Sequence, residues 1–271
     1  MNSLQVCDED SMTSSQLQFN SCPGGYGCIN CKATLISQEW AITAASCVDW
    51  YQPGMSLEDS RLTDNNGKKY LLSSVSATSE PIIIHPDYAS GLYYDIALIK
   101  LPANDLPISC ISKSCQSDSQ ANTETFANFY DCNRDQFYGV LDGTSICANN
   151  DVLAANIGYD EIYPGTPVFD DAGSLRGIFG WAGENQFRRG QPFVSLTRVS
   201  SYMKWVAQML EAQGDSLGAD MEFWLNGTRS KCIEGSGPTD SGAYDRESGR
   251  NAQGAIVRIR KKNEKSQMTV F

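Results

Sequence analysis

Short apolar runs alternate with polar turns along the first two thirds of the chain. Residues 33–36 and 40–43 are two such runs on either side of a polar turn, and they predict a hairpin of two buried strands. The runs over residues 70–75 and 81–85 also predict strands. Long stretches with helical periodicity are scarce, which favours an all-β body.

One helix is predicted near the end of this body. Within residues 200–212, the side chains of Tyr202, Val206, Met209 and Leu210 form an apolar stripe at helical spacing, which is typical of a helix packed on a core. Farther on, residues 235–254 are rich in Gly, Ser and Asp and predict a disordered segment.

The chain has 271 residues and a formal net charge of −11. Residues 1–212 carry 12 Lys/Arg against 24 Asp/Glu, a net of −12, and residues 213–271 carry 9 against 8, a net of +1. An acidic body argues against nucleic acid or an anionic membrane as the main partner. No apolar stretch is long enough to span a bilayer. The basic run at 258–262 is interpreted as a solvated segment.

Ten cysteines indicate disulfides formed in an oxidising compartment. The pair Cys28 and Cys31, separated by two residues, leaves a zinc site or a thioredoxin-like redox pair as alternatives. No second such pair completes a metal shell, so we expect neither a metal nor a cofactor. The first residues lack the features of a signal peptide. We expect a secreted protein whose signal has been trimmed; the alternative is an intracellular chain with reduced cysteines.

The stretch from Cys31 to Cys47 reads C-K-A-T-L-I-S-Q-E-W-A-I-T-A-A-S-C. It closely resembles the segment C-G-G-S-L-I-x-x-x-W-V-L-T-A-A-H-C of trypsin-like (chymotrypsin-fold) serine proteases, which delivers the catalytic histidine. Ser46 stands in the place of that histidine. The stretch at 85–101 resembles the family's His-Pro-x-Tyr and Asp-Ile-Ala-Leu-Ile-x-Leu pattern, in which Asp95 occupies the position of the triad aspartate.

The region 158–183 should carry the nucleophile, and its later part resembles the strands that follow the family's G-D-S-G-G-P motif. Taking Pro167 as the proline of that motif places Pro164 at the nucleophile. The same alignment places Tyr163 at the aspartate that receives the inserted amino terminus and Ile162 at the oxyanion-hole glycine.

The substrate cleft is altered in the same alignment. Gly158 lies where trypsin-like members have the aspartate that selects basic residues, and Trp181 is expected to line the old cleft. An aromatic-walled groove without catalytic machinery would suit a peptide ligand.

The resemblance covers about residues 22–212 and implies an all-β fold of two packed six-stranded antiparallel barrels, the second abbreviated, with a C-terminal helix. The implied divisions are an N-terminal arm (1–21), barrel one (about 22–105), barrel two (about 106–200), the helix (about 200–212) and a largely flexible extension (213–271).

The resemblance also implies two disulfides, Cys31–Cys47 and Cys132–Cys147. The other six cysteines allow fifteen pairings; they are Cys7, Cys22, Cys28, Cys110, Cys115 and Cys232. Because the family often ties an N-terminal arm to the linker between the barrels, we expect Cys110 or Cys115 to pair with Cys7 or Cys22.

Acyl transfer by a serine needs a base, a carboxylate that orients the base, and donors for the oxyanion. His85, the one histidine, is interpreted as a partly exposed structural residue. Pro164 has neither a nucleophilic side chain nor an N–H. Ser174, in a predicted turn, is disfavoured as a displaced nucleophile, and we expect a structural role for Asp95, with the Ser46 amide among its candidate partners.

These observations predict a non-catalytic serine protease homologue that binds a protein partner as a cofactor, decoy or inhibitor. The alternative is an active serine-type endopeptidase or hydrolase with a rearranged site. A third hypothesis is a gene product that does not fold stably. Asn226 begins a glycosylation sequon that is usable if the chain is secreted.

Overall fold

The computed structural model describes residues 9–23, 27–75, 80–89, 93–111, 125–127, 129–137, 141, 143–158, 161–180, 192–215, 258–260 and 267–269. Most of the ordered structure is β-sheet. The described helices are α1 (Glu9–Ser14), α2 (Phe129–Asp135), α3 (Asn150–Ile157) and α4 (Met203–Ala212). No helix in these ranges is long and apolar enough to cross a membrane.

The first sheet has seven described strands. They are β1 (Gln16–Ser21), β2 (Ile29–Leu35), β3 (Trp40–Thr43), β4 (Ser60–Thr63), β5 (Lys69–Leu71), β6 (Ile82–Ile84) and β7 (Ala97–Lys100). Their order is β5-β4-β1-β2-β3-β7-β6, with every neighbouring pair antiparallel.

Among the described residues, the second sheet is the smaller of the two, as predicted. Its strands are β8 (Cys110–Ile111), β9 (Ser145–Asn149), β10 (Pro167–Phe169), β11 (Ser174–Ile178) and β12 (Phe193–Arg198). The order is β10-β11-β12-β9, and the short β8 pairs in parallel with β11. A separate hairpin joins β13 (Arg258–Arg260) to β14 (Gln267–Thr269). The all-β class, with two curled antiparallel sheets and a C-terminal helix, is confirmed.

The structure differs from the expected architecture in two details. The first sheet has seven described strands where the resemblance implied six, and β1 lies within residues 1–21, the stretch expected to form an N-terminal arm. This strand pairs with both β2 and β4, and its apolar residues Leu17 and Phe19 are at most 1% exposed. The sheet therefore begins before residue 22, because β1 supplies part of the core.

The predicted hairpin is present as β2 and β3. All four residues of β3 are buried, with the indole of Trp40 fully enclosed. The intervening turn is closed by the N–H groups of Ile36 and Ser37, which both donate to the carbonyl of Trp40. The hydroxyl of Ser37 also accepts the N–H of Trp40 at 3.1 Å. Strand β2 is longer than predicted and begins at Ile29.

Helix α4 packs where its apolar stripe predicted. Tyr202, Val206 and Leu210 are buried, and Met209 is half-buried against the same cluster. This cluster joins the helix to the outer face of the first sheet and to the second sheet through side chains that include Trp40, Ile42, Leu98, Leu175 and Ile178. The two sheets and α4 thus share one apolar interface.

Both predicted disulfides are present: Cys31–Cys47 and Cys132–Cys147. A third joins Cys22 to Cys28, so the prediction that Cys22 ties an arm to the linker is wrong. Cys110 is also in a disulfide. Its other predicted partner, Cys7, lies outside the described residues, as does Cys115. Within the described ranges no group of three or more His, Cys, Asp or Glu side chains could hold a metal ion.

Candidate functional site

Ser46 and Asp95 face each other at one end of the first sheet. Ser46 lies in a 3₁₀ turn, Ala45–Cys47, directly after β3, and Asp95 lies just before β7. The N–H of Ser46 donates to Asp95 Oδ1 at 2.7 Å, and its hydroxyl donates to Oδ2 at 3.0 Å. Asp95 is 2% exposed. Its carboxylate therefore binds Ser46, whose amide was among the partners expected for Asp95.

The second sheet also contacts Asp95. The hydroxyl of Thr197, in β12, donates to the Asp95 carbonyl at 3.3 Å. A Cβ atom placed on Gly180, just after β11, would overlap Asp95 Oδ2. The carboxylate therefore occupies space that a side chain at position 180 would need, and Asp95 contacts both sheets.

The backbone around Asp95 has an unusual conformation. Tyr94 has a φ of 56°, the one positive value among the described residues that are not glycine. The N–H of Ile96 donates back to the Tyr94 carbonyl at 2.8 Å.

Burial, with smaller contributions from the charges of Asp95 and Asp49, raises the pKa of the Tyr88 phenol, so this phenol stays neutral beside the carboxylates.

Pro164 lies in a tight turn over residues 163–166. The N–H of Thr166 donates to the Tyr163 carbonyl at 3.0 Å, which closes the turn, and Gly165 has a φ of +83°. Proline at the second position and glycine with a positive φ at the third are the features of a type II turn. A Cβ on Gly165 would overlap the Lys32 carbonyl oxygen, so this position requires glycine for space as well as for its φ.

The N–H groups of this turn are already hydrogen-bonded within the protein. The N–H of Tyr163 donates to Thr166 Oγ1 at 3.0 Å, and that of Gly165 donates to the Phe179 carbonyl at 2.6 Å. Pro164 has no N–H. Residues 163–166 therefore offer no backbone donor for an oxyanion, which in acyl transfer needs donors aimed at the position of the developing charge.

Strand β2 links the turn that contains Pro164 to the segment that contains Ser46. The N–H of Lys32 donates to the Pro164 carbonyl at 2.9 Å, and the Thr43 hydroxyl donates to the Lys32 carbonyl at 2.7 Å. Lys32 follows Cys31, whose disulfide partner Cys47 follows Ser46. The three positions aligned with the triad thus lie where two sheets meet.

The sequence did not indicate Lys32 as part of this site, because no lysine is near Ser46 or Pro164 along the chain. In the folded protein the main-chain N–H of Lys32 contacts the Pro164 carbonyl, because the two sheets pack against each other. Its Nζ lies 4.0 Å from Glu161 Oε2. An exposed ion pair of this kind contributes little to stability.

His85 is part of an aromatic cluster. Its ring centroid lies 5.0 Å from that of Tyr94, 5.3 Å from that of Tyr202 and 4.8 Å from that of Trp205. Its Nδ1 accepts the N–H of Asp87 at 3.2 Å. Burial lowers the pKa of the imidazole, and the charge of Asp87 opposes this with a smaller effect.

The structural role predicted for His85 agrees with these contacts, but the expected partial exposure is wrong. The side chain is buried, at 9% exposure, because α4 packs over it. None of its described contacts involves Ser46 or Pro164.

Four further residues were named in the sequence predictions. Gly158 ends α3 with a φ of +90°, and its N–H donates to the Ala154 carbonyl. Ser174 begins β11, where its N–H donates to Asp170 Oδ1 at 2.9 Å, as expected for a turn residue. Trp181, the predicted cleft residue, and Asn226, the predicted glycosylation site, lie outside the described residues.

Comparisons with known proteins identify the family of the chain. The model of the family described as Trypsin matches residues 9–206. The chain is 24% identical over 229 residues to chymotrypsin-like elastase family member 1 of Homo sapiens, covering 72% of this chain and 87% of the relative. The Macaca fascicularis protein of that description is 24% identical over 225 residues, covering 71% and 83%.

A solved structure shares the fold. Kallikrein-related peptidase 10 superposes with a TM-score of 0.52 at 18% identity, covering 76% of this chain and 98% of that one.

Proposed function

The chain belongs to the trypsin family of serine proteases, and from this premise we propose that it is a non-catalytic member. It acts by binding a protein partner, as a cofactor, decoy or inhibitor. We further propose that it does so outside the cell, where disulfides such as Cys31–Cys47 and Cys132–Cys147 persist.

One observation carries this proposal: the Asp95 carboxylate accepts both the N–H and the hydroxyl of Ser46. In acyl transfer by a triad, the carboxylate orients an imidazole that removes the proton of the nucleophile. Here the carboxylate holds a serine, which cannot act as a base near neutral pH.

The turn at Pro164 supports the same conclusion independently. The side chain has no nucleophile, and the N–H groups of Tyr163, Gly165 and Thr166 are bonded within the protein. An oxyanion donor typically accounts for about 10²–10³ in kcat, so its absence would weaken any remaining chemistry. Base, nucleophile and oxyanion donors are thus replaced together.

The alternative is an active serine-type endopeptidase or hydrolase with a rearranged site. Family membership favours it, and so does the 3.0 Å contact between Ser46 Oγ and Asp95 Oδ2, since a carboxylate beside a hydroxyl can accept its proton. An ordinary carboxylate is a weak base at neutral pH, and this arrangement places no imidazole between the two groups.

Hydrolysis of ester and peptide substrates by the repurified full chain separates the two proposals. We expect background rates, unchanged in the Ser46→Ala, Asp95→Asn and Ser174→Ala variants. Turnover that persists through repurification and is lost in one of these variants would establish the alternative and identify the residue responsible.

The binding role is tested separately, by cross-linking the immobilised chain to proteins of the extracellular fluid in which it occurs. We expect a saturable partner that the free chain competes away and that remains bound when Ser46→Ala replaces the natural chain. Retention of proteins only as cleaved fragments would contradict a non-catalytic role.

A further inference from the structure

One disulfide lies at the surface, unlike two others. This first pair joins Cys22, which is half-buried, to Cys28, which is exposed. The cysteines of the other two pairs, Cys31–Cys47 and Cys132–Cys147, are each at most 2% exposed. A reductant in solution can therefore reach the first pair while the folded protein shields the other two.

The Cys22–Cys28 bond closes the loop between β1 and β2. The last paired residues of these strands are Ser21 and Ile29, so Cys22 and Cys28 are the next opposed positions. Their Cα atoms are 4.1 Å apart, and six positions separate them along the chain. The disulfide thus lies just beyond the end of the strand pairing.

The hairpin does not depend on this bond for its attachment to the fold. Six residue pairs join β1 to β2, from Gln16↔Thr34 to Ser21↔Ile29, and β1 also pairs with β4. The β1 side chains Leu17 and Phe19 remain in the core of the first sheet. Breaking the bond therefore leaves the strand pairing and the core contacts of β1 in place.

We propose that Cys22–Cys28 is a redox switch that opens reversibly in the folded protein. Its partner is a dithiol reductant. One thiolate of the reductant attacks Sγ of the exposed Cys28, the S–S bond breaks, and Cys22 leaves as a thiolate that takes up a proton.

The second thiol of the reductant then resolves the mixed disulfide. Cys28 is released as a thiol, and the reductant ends as a disulfide. Two electrons and two protons pass to the protein in total. The oxidised and reduced forms differ in the covalent bond between Cys22 and Cys28, just beyond the last strand pair Ser21↔Ile29.

Thiol trapping tests the order of reduction. The full chain is equilibrated in dithiothreitol buffers of increasing reducing strength, quenched with N-ethylmaleimide and analysed by peptide mass spectrometry, with circular dichroism recorded in parallel. We expect Cys22 and Cys28 to be labelled together at reductant concentrations at least about tenfold below those that label Cys31, Cys47, Cys132 and Cys147. The native circular dichroism spectrum should persist through this first step.

Labelling of all six cysteines in one step, or labelling that coincides with loss of the native spectrum, would overturn the proposal. A Cys22→Ser/Cys28→Ser variant provides a second measurement. It should fold and melt cooperatively, and it should keep the two buried disulfides at the reductant concentrations that reduce Cys22–Cys28 in the natural chain. Failure of this variant to fold would show that the bond is structural and would also overturn the proposal.

Discussion

The contact between Asp95 and Ser46 leads to a prediction that separates a structural carboxylate from a catalytic one. Truncation in Asp95→Ala removes the acceptor of the Ser46 N–H at 2.7 Å and of its hydroxyl at 3.0 Å, at a site that is 2% exposed. A catalytic carboxylate contributes mainly to rate, whereas this one should contribute to the free energy of unfolding.

The magnitude follows from the two hydrogen bonds. A hydrogen bond to a charged group contributes about 1.5–3 kcal/mol, so the gross loss is about 3–6 kcal/mol. Removing a desolvated charge recovers part of this loss. We expect Asp95→Ala to lower the free energy of unfolding by about 2–4 kcal/mol.

Asp95→Asn is the matched control. The amide keeps a carbonyl oxygen for the Ser46 N–H, and its NH₂ can donate to the serine hydroxyl, which accepts as readily as it donates. We expect this variant to lose less than about 1 kcal/mol.

Urea unfolding followed by tryptophan fluorescence, without reductant, measures both variants. A free energy of unfolding for Asp95→Ala within about 0.5 kcal/mol of that of the natural chain, the range of ordinary surface substitutions, would contradict this prediction. It would also be refuted if Asn were as costly as Ala.

Three further predictions concern stability. Gly165→Ala should lower the free energy of unfolding by more than about 3 kcal/mol, because the positive φ costs about 1–2 kcal/mol and the added Cβ overlaps the backbone. The control Gly54→Ala has a similar φ but open space around its Cβ, so urea unfolding should show only the cost of the positive φ. Burial lowers the pKa of His85, so the unfolded chain binds this proton more readily than the folded chain does. The free energy of unfolding should therefore fall as the pH drops from about 6.5 towards the folded-state pKa. Urea unfolding at pH 7.5 and at pH 5.5 should show this loss, and an equal loss in His85→Phe would contradict the prediction. Removing the Cys31–Cys47 disulfide by paired alanines should cost about 3 kcal/mol for a loop of this length, and calorimetry showing an unchanged Tm would exclude this contribution.

The parts of the fold that follow from local pattern could be predicted from the sequence. The hairpin of β2 and β3 combines two apolar runs, a polar turn and cysteines at both ends, so its structure and its disulfide agree with prediction. Strand β1 was missed although Leu17 and Phe19 alternate with polar residues, because it lies in a polar, serine-rich stretch. Its burial comes from pairing with β4, which is distant in sequence.

The candidate site likewise has one feature that could be predicted from the sequence and contacts that could not. The Pro-Gly pair at residues 164 and 165 is a turn signal that can be read from the chain, and the structure has a type II turn there. The contact of Lys32 with Pro164 and the close approach of Gly180 to Asp95 required the sheets to be packed together. Local patterns carry no information about such contacts between distant segments.

His85 shows why exposure is hard to predict from one strand. Its place before a turn suggested a partly exposed ring, but Tyr202 and Trp205 of the C-terminal region cover it. The pairing of Cys22 with Cys28 was likewise left open, because it depends on the register of β1 against β2.

Covalent labelling with a fluorophosphonate probe, read by intact mass with trypsin as the positive control, tests directly whether this chain has a reactive serine. We expect no adduct on this chain under conditions that label trypsin completely, because Ser46 contacts a carboxylate in place of an imidazole and the N–H groups of the turn at Pro164 are bonded within the protein. Stoichiometric labelling of one serine, located by peptide mass, would contradict the account and identify a working nucleophile.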